Sequence, residues 1–169
     1  MFTARTPEFE VIQSGHGNTR EEIACFLETN GLGIDDDIAL FVIARYQRKL
    51  IACAGIAGNT LKCIAIDTEW RGTSLSLTLL HEAELQAAQN GEHHLFLFTC
   101  PGNVKSFRGC GFYPLVTIVN RAALMENTPI GIHRYCSQLR SHHLVQGNKI
   151  GSIVMNANPF TLGHQYLVE

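Results

Sequence analysis

Short apolar runs, separated by polar or glycine-containing turns, fill most of the first part of the chain. Residues 9–13 form one such run, and residues 38–45, 50–57 and 61–66 form three more in close succession. Runs of this length joined by short turns are typical of strands that pair in antiparallel order. The pattern therefore predicts a short first strand and, later, an antiparallel meander of three strands.

Two longer stretches repeat their apolar residues with the spacing of an amphipathic helix. The first extends from Asn18, which can cap a helix, to Gly31, which can end one. The second covers residues 71–90 and stops before Gly91. Its apolar positions fall on one side of the predicted helix: Leu75, Leu79, Leu80, Ala83 and Ala87. Each helix is therefore predicted to bury one face.

The later apolar runs complete an alternation of strands and helices. Residues 94–99 predict a strand buried on both faces, residues 103–108 a short helix, and residues 112–119 another strand. The helix between the runs at 61–66 and 94–99 makes these two strands parallel neighbours, which we expect to separate at their C-terminal ends. The order predicts an α+β fold with a mixed, mostly antiparallel sheet flanked by helices.

The composition is that of an ordinary globular domain. The chain is 46% hydrophobic and 17% charged, which is too apolar for a disordered protein. A formal net charge of −2 offers no broad basic field for nucleic acid or for anionic membranes. The N-terminal residues show no apolar signal segment, and no run is long enough for a transmembrane helix. We therefore expect a cytoplasmic protein whose partners include neither nucleic acid nor a membrane.

The cysteines and histidines do not follow the spacing of a metal or disulfide framework. None of the six cysteines forms a Cys-x-x-Cys pair, and several lie in apolar runs where a thiol packs like a small hydrophobic group. The doublet His93-His94 would point to opposite faces of a strand. We therefore predict neither disulfides nor a metal site made by these residues.

A cluster of small, hydroxyl and basic residues stands at the predicted start of the second long helix. Arg71 adds a positive charge, and Gly72 allows a close approach of the backbone. Thr73, Ser74 and Ser76 follow with hydroxyl groups. The first turn of a helix presents unpaired N–H groups and the positive end of the helix dipole. The cluster therefore predicts an anion-binding site.

Two segments of the chain resemble the GNAT-type acyltransferases, and the resemblance covers about residues 9–125. The segments are residues 61–80, LKCIAIDTEWRGTSLSLTLL, and residues 103–112, NVKSFRGCGF. The resemblance implies that the turn after the strand holds the pyrophosphate of coenzyme A (CoA). It also implies that backbone groups around Ile64 and Ile66 pair with the pantetheine amides by strand addition, and that Asn103 belongs to the cofactor-binding set.

The chain departs from that family's pattern at several positions. Ser74 and Ser76 stand where the family usually has glycine or alanine, and Phe107 stands where many members have a tyrosine that protonates the leaving thiolate. A phenylalanine side chain cannot transfer a proton. Asp67 and Glu69 are candidates for a general base by position alone. The pattern therefore favours a pantetheine groove over amine acetylation.

A second motif lies near the C-terminus. Residues 149–155 are predicted to form an apolar strand, followed by a turn with Asn158 and then by Thr161-Leu162-Gly163-His164. This segment resembles the opening of the nucleotidyltransferase superfamily. The resemblance implies that Asn158 and Gly163 lie near the nucleotide. It also implies that Thr161 and His164 are catalytic, with His164 stabilising charge that builds on the triphosphate.

Both motifs, in this order, resemble the citrate lyase ligase family. The resemblance implies that acetate is activated with ATP and Mg²⁺ to acetyl-AMP. The acetyl group then passes to the thiol of a CoA-like prosthetic group on the acyl carrier subunit of citrate lyase. That prosthetic group carries a pantetheine arm, which we assign to the groove of the GNAT-type domain.

The resemblance also predicts how the chain is organised. Residues 1–130 form the GNAT-type domain, residues 131–149 a connector, and residues 150–169 the start of a truncated nucleotidyltransferase domain. We expect the chain to be part of a longer protein and to lack ligase activity alone. Two alternatives stay open. One is a stand-alone N-acetyltransferase that uses acetyl-CoA, and the other is a non-catalytic module that binds CoA or an acyl carrier.

Overall fold

A computed structural model of the chain describes residues 6–13, 17–142 and 154–168. The strands are β1 (Glu8–Gln13), β2 (Leu40–Tyr46), β3 (Lys49–Ala57), β4 (Thr60–Ile66), β5 (Phe96–Thr99), β6 (Tyr113–Ile118) and β7 (Ala122–Glu126). The helices are α1 (Asn18–Thr29), α2 (Leu75–Gln89), α3 (Val104–Gly109), α4 (Gly131–His142) and α5 (Leu162–Val168). The chain divides into two compact units, Met1–Gly131 and Ile132–Glu169.

The seven strands found in the described residues belong to one sheet in the first unit, with the order β1-β2-β3-β4-β5-β7-β6. Every neighbouring pair is antiparallel except β4 and β5, which are parallel. The predicted α+β class, the meander of three strands and the parallel crossover through the long helix are therefore confirmed.

The central strands β2 and β3 are buried on both faces. On one face, Leu79 of α2 packs in a cluster with Val42. On the other face, Ile23 of α1 packs in a cluster with Ile43. Neighbouring residues of one strand thus enter different cores, because successive side chains of a strand point to opposite faces. The continuous apolar runs of these strands reflect this double burial.

Both long helices occur, but their first residues differ from the predicted ones. Asn18 is the first residue of α1 instead of its cap; Gly17 precedes it, and no side chain caps the helix. The second helix begins at Leu75 instead of Arg71, because residues 68–70 form a separate short turn and Gly72 has a φ of 78°. A left-handed residue cannot continue a right-handed helix. The five predicted apolar residues of α2 are all buried.

The other half of the sheet corrects two predictions. Phe98 of β5 has 65% of its surface exposed, so this strand is not buried on both faces. Strand β7 was not predicted, because its sequence AALME is rich in helix-forming residues. Pairing with β5 on one side and β6 on the other overrides that local preference.

The second unit contains most of α4 and all of α5 among the described residues. The segment predicted as a connector, residues 131–149, begins with α4. The strand predicted at residues 149–155 lies largely outside the described residues, and its last two, Val154 and Met155, are not in a strand. Within the part of the chain that the structure describes, no helix is long and apolar enough to cross a membrane.

Candidate functional site

The sheet opens between its two parallel strands. Strands β4 and β5 pair only at Thr60–Phe96 and Leu61–Leu97, so the rest of the β4 edge has no neighbouring strand among the described residues. Two adjoining cavities of about 210 and 640 Å³ lie in this opening. They share five lining residues: Ile64, Ile66, Arg71, Asn103 and Phe107. We call this opening the cleft.

A β-bulge directs backbone groups of β4 into the cleft. Between the pairs Gly55–Lys62 and Cys53–Ala65, β4 has one more residue than β3, and Cys63 has a φ of 49°. Beyond the bulge, Ala65 pairs with β3 and the amide of Asp67 donates to the Ile51 carbonyl. Because N–H and C=O directions alternate along a strand, the backbone groups of Ile64 and Ile66 face the cleft.

The start of α2 presents free amide groups at the same place. Among the described residues, no acceptor is found for the backbone N–H groups of Gly72, Ser74 and Ser76. The Thr73 hydroxyl donates to the Trp70 carbonyl at 2.7 Å and accepts from the Leu75 amide at 3.2 Å, so this side chain caps the helix. A Cβ atom added to Gly72 would meet nothing within 4 Å, which leaves room for a ligand.

The structure brings together six of the eight residues predicted to bind the cofactor in the first unit. The residues that line the cleft are Ile64, Ile66, Arg71, Gly72, Ser76 and Asn103. Thr73 and Ser74 instead line a separate depression with Phe9 and Glu69. Sequence reasoning missed Asn30, Phe98 and Arg121, which also line the cleft. No local signal marks these three residues, because they come from elements far from the motif in sequence.

The Arg71 guanidinium is already engaged. Its Nε donates to the Ile66 carbonyl at 3.1 Å, and its Nη2 donates to Oδ1 of Asn30 at 2.9 Å. The side chain therefore connects the turn before α2, the end of β4 and the end of α1. The sequence alone predicted that the charge of Arg71 faces an anionic ligand. In the structure, the hydrogen-bond acceptors of Arg71 are two neutral oxygens.

The groups considered for proton transfer are poorly suited to it. Phe107 lines the cleft where the family often has a tyrosine. The Asp67 carboxylate accepts from Lys49 Nζ at 2.7 Å and from the Glu69 amide at 3.1 Å. The hydrogen bond from Lys49 lowers the pKa of Asp67, which makes this carboxylate a weaker base. Glu69 lines the other depression.

The second motif forms a local cluster at the start of α5. Nδ1 of His164 lies 3.1 Å from the Thr161 amide and 2.8 Å from the Thr161 hydroxyl. An amide N–H can only donate, so Nδ1 is the acceptor and the neutral ring carries its proton on Nε2. Phe160 stacks on the same ring, with 5.7 Å between ring centroids. Asn158 and Gly163 are exposed.

In residues 6–13, 17–142 and 154–168, no three His, Cys, Asp or Glu side chains form a group that could hold a metal ion.

This chain resembles several solved structures in fold. ElaA from Escherichia coli has a TM-score of 0.61 at 13% identity, covering 73% of this chain and 100% of that one. An acyl-CoA N-acyltransferase from Pseudomonas aeruginosa has a TM-score of 0.57 at 13% identity, covering 73% and 100%. A GNAT-family acetyltransferase from Staphylococcus aureus has a TM-score of 0.52 at 13% identity, covering 72% and 100%. These likenesses confirm the GNAT fold.

Sequence comparison gives more specific relatives. The family model described as "Citrate lyase ligase C-terminal domain" matches residues 150–169. The [Citrate [pro-3S]-lyase] ligase of Klebsiella pneumoniae is 50% identical over 150 residues, covering 89% of this chain and 44% of that protein. Its counterpart from Escherichia coli K12 is 42% identical over 161 residues, covering 95% and 46%.

This chain spans less than half the length of the curated relatives it matches. Their similarity covers most of the chain. The predicted resemblance is thereby confirmed: over most of its length, this chain is homologous to citrate lyase ligases.

Proposed function

We propose that this chain is the N-terminal part of an AMP-forming citrate lyase ligase. The observation that carries the proposal is the 42–50% identity, over most of the chain, to proteins named as that ligase. The proposed reaction activates acetate with ATP and Mg²⁺. The acetyl group then passes to the thiol of a CoA-like prosthetic group on the acyl carrier subunit of citrate lyase.

We assign residues 1–130 to a GNAT-type domain, residues 131–149 to a connector, and residues 150–169 to the start of the nucleotidyltransferase domain. In this assignment the cleft receives the pantetheine arm of the prosthetic group. The backbone groups of Ile64 and Ile66 offer a strand edge to the amides of the arm. The free amides of Gly72 and Ser76 face the phosphate end. Asn103 also lines this cleft.

The residues present in the cleft fit a CoA-like group. Such a group supplies a thiol when it is bound. The chain's own contribution is to hold the arm: an unpaired strand edge for amides, a helix start for phosphate, and an apolar wall formed by Phe107 and Leu80. With Phe107 in place of a proton donor and Asp67 held by Lys49, the described residues of this unit favour binding over amine acetylation.

In the second motif, we assign charge stabilisation to His164. Its Nδ1 is held by Thr161, so the Nε2–H group is left to donate to a phosphate oxygen of ATP. Thr161 fixes the tautomer and the orientation of the ring. Asn158 and Gly163, which are exposed beside them, are assigned to the nucleotide-binding surface.

The cleft assignment is tested by placing a negative charge at the start of α2. Ser76→Glu should abolish detectable CoA binding in calorimetry, because the carboxylate repels the phosphate and competes for the free amides. A Glu in the first turn interacts favourably with the helix dipole, and circular dichroism of both variants checks that the fold is kept. Thr78→Glu is the matched control, since Thr78 lies two residues away and lines the separate depression. Equal CoA affinity in both variants would rule out this site.

The ligase assignment is tested by acetate-dependent exchange of labelled pyrophosphate into ATP. The full-length gene product should catalyse the exchange in the presence of Mg²⁺. The 169-residue chain should not, because one histidine and one helix start cannot orient both a carboxylate and a triphosphate. Exchange by the 169-residue chain, or its absence in the full-length protein, would contradict the proposal.

A further inference from the structure

Asn30 and Arg71 form a bridge at the cleft. Asn30 follows the last residue of α1, and its Nδ2 donates to the Phe26 carbonyl at 2.8 Å. That bond fixes the amide so that Oδ1 accepts from Arg71 Nη2 at 2.9 Å. The same guanidinium donates through Nε to the Ile66 carbonyl at 3.1 Å. We call this arrangement the Asn30–Arg71 bridge.

The bridge occupies a group that a ligand would use. The Ile66 carbonyl belongs to the part of the β4 edge that has no neighbouring strand. An extended ligand that pairs with this edge through its amides therefore competes with Arg71 for the same oxygen. Opening the bridge costs two hydrogen bonds from a charged donor to neutral acceptors.

We infer that Asn30 is a positioning residue, which holds Arg71 over the Ile66 carbonyl until a phosphate-bearing pantetheine ligand draws the guanidinium away. A phosphate offers Arg71 a charge-assisted bond, which is roughly twice as strong as a bond between neutral groups. A bare pantetheine offers no such partner and must open the bridge without compensation. The bridge thus weakens the binding of every pantetheine ligand, and only a ligand that carries a phosphate recovers this cost through its bond to Arg71. This inference rests on the proposed function of the cleft.

Two ligands and three variants test the inference. CoA and phosphate-free pantetheine are titrated by NMR into the full chain and its variants. Asn30→Ala weakens the bridge, so both ligands should bind about threefold to tenfold more tightly. Asn30→Asp turns the bridge into an ion pair, so both should bind more weakly by a similar factor. Arg71→Ala should strengthen pantetheine binding by about the same factor but weaken CoA binding by about tenfold or more.

Asn90→Ala is the matched control. Asn90 follows α2 with a φ of −91° and a ψ of 8°, and Asn30 follows α1 with a φ of −98° and a ψ of 8°. Both substitutions remove an asparagine side chain at the end of a helix, but Asn90 does not line the cleft. Asn90→Ala should leave both affinities unchanged.

The outcomes separate the two proposals. If the wild-type chain does not bind CoA, the cleft assignment and this inference are both wrong. If it binds CoA but Asn30→Ala and Asn30→Asp shift the affinities in the same direction or not at all, the inference is wrong and the cleft assignment stands. A purely structural role for Asn30 cannot produce opposite signs. Slow exchange of the Arg71 Nε–H with solvent, lost in Asn30→Ala, is the expected direct signature of the bridge.

Discussion

Two helix starts in this protein carry similar short motifs but differ in what surrounds them. The turn at residues 71–76 before and into α2 combines a basic residue, a glycine and hydroxyl groups. The turn at residues 158–164 before and into α5 combines a histidine, a glycine and one hydroxyl group. As sequence patterns, both predict an anion site at a helix N-terminus.

The start of α2 is completed by residues from distant elements. Asn30 at the end of α1 and Ile66 in β4 bind the Arg71 side chain, and Asn103 and Phe107 line the same cleft. At the start of α5, the described contacts of the histidine stay within residues 160–164. The comparison teaches that a helix start lies in a cleft only when residues from other elements close around it. A local motif supplies only part of such a site.

The largest effect is expected from weakening the core packing that holds the start of α2 in place. Leu79 of α2 is fully buried in the main core. Leu79→Ala should lower the free energy of unfolding of the first unit by about 2–5 kcal/mol, because it leaves a cavity. Leu85→Ala in the same helix, at a residue with 44% exposure, should change it by less than about 0.5 kcal/mol. Urea unfolding monitored by fluorescence of the single Trp measures both, and equal losses would contradict the assigned packing.

The second largest effect is expected from removing the histidine side chain at the start of α5. His164→Ala in the full-length protein should slow acetate-dependent pyrophosphate exchange by about 10²–10³-fold, the scale for losing one donor to the transition state. CoA binding by the first unit should not change, because the described contacts of His164 lie within its own motif. Full exchange activity in the variant would refute the role assigned to His164.

Substitution of the glycine in each motif is expected to have a different effect at the two helix starts. Gly72 has a φ of 78°, so Gly72→Ala should destabilise the first unit by about 1–2 kcal/mol although space for the Cβ is open. Gly163 lies inside α5, and its added Cβ would make only an ordinary contact at 3.6 Å with the Thr161 hydroxyl. Gly163→Ala should therefore raise helicity or leave it unchanged. Chemical unfolding of the first variant and circular dichroism of the second check these opposite signs.

The smallest expected effect concerns the turn that leads into α2. Asp67 accepts from Lys49 and from the Glu69 amide, and the hydrogen bond from Lys49 lowers its pKa below the ordinary value of 3.8. A lowered pKa in the folded state means that the stabilisation is present above the unfolded value and is lost as the pH falls through the folded one. The difference in unfolding free energy between wild type and Asp67→Asn should therefore be constant at neutral pH and decrease in strong acid, where the carboxylate is protonated. A difference that grew on acidification would show that the pKa is raised.

The sequence by itself determined the elements whose residues bury a periodic face. The five apolar residues of α2 are buried as predicted, because spacing along one helix fixes which side chains share a face. The apolar runs at residues 38–45 and 50–57 form β2 and β3, as the predicted meander requires. The anion site predicted at residues 71–76 stays a prediction, and the structure shows that Arg71, Gly72 and Ser76 of this segment line the cleft. The two motifs together were enough to identify the relatives.

Which residues surround the start of α2 was decided only by the tertiary structure. The β7 segment is rich in helix-forming residues, yet it forms a strand, because pairing with two neighbouring strands outweighs a weak local preference. Phe98 is exposed because β5 leaves β4 after two residue pairs, which also creates the cleft. Asn30 lies 41 residues from Arg71 in sequence, and only the packing of α1 against the sheet brings their side chains into contact. Contacts of this kind follow from how elements pack, and no spacing along the chain encodes them.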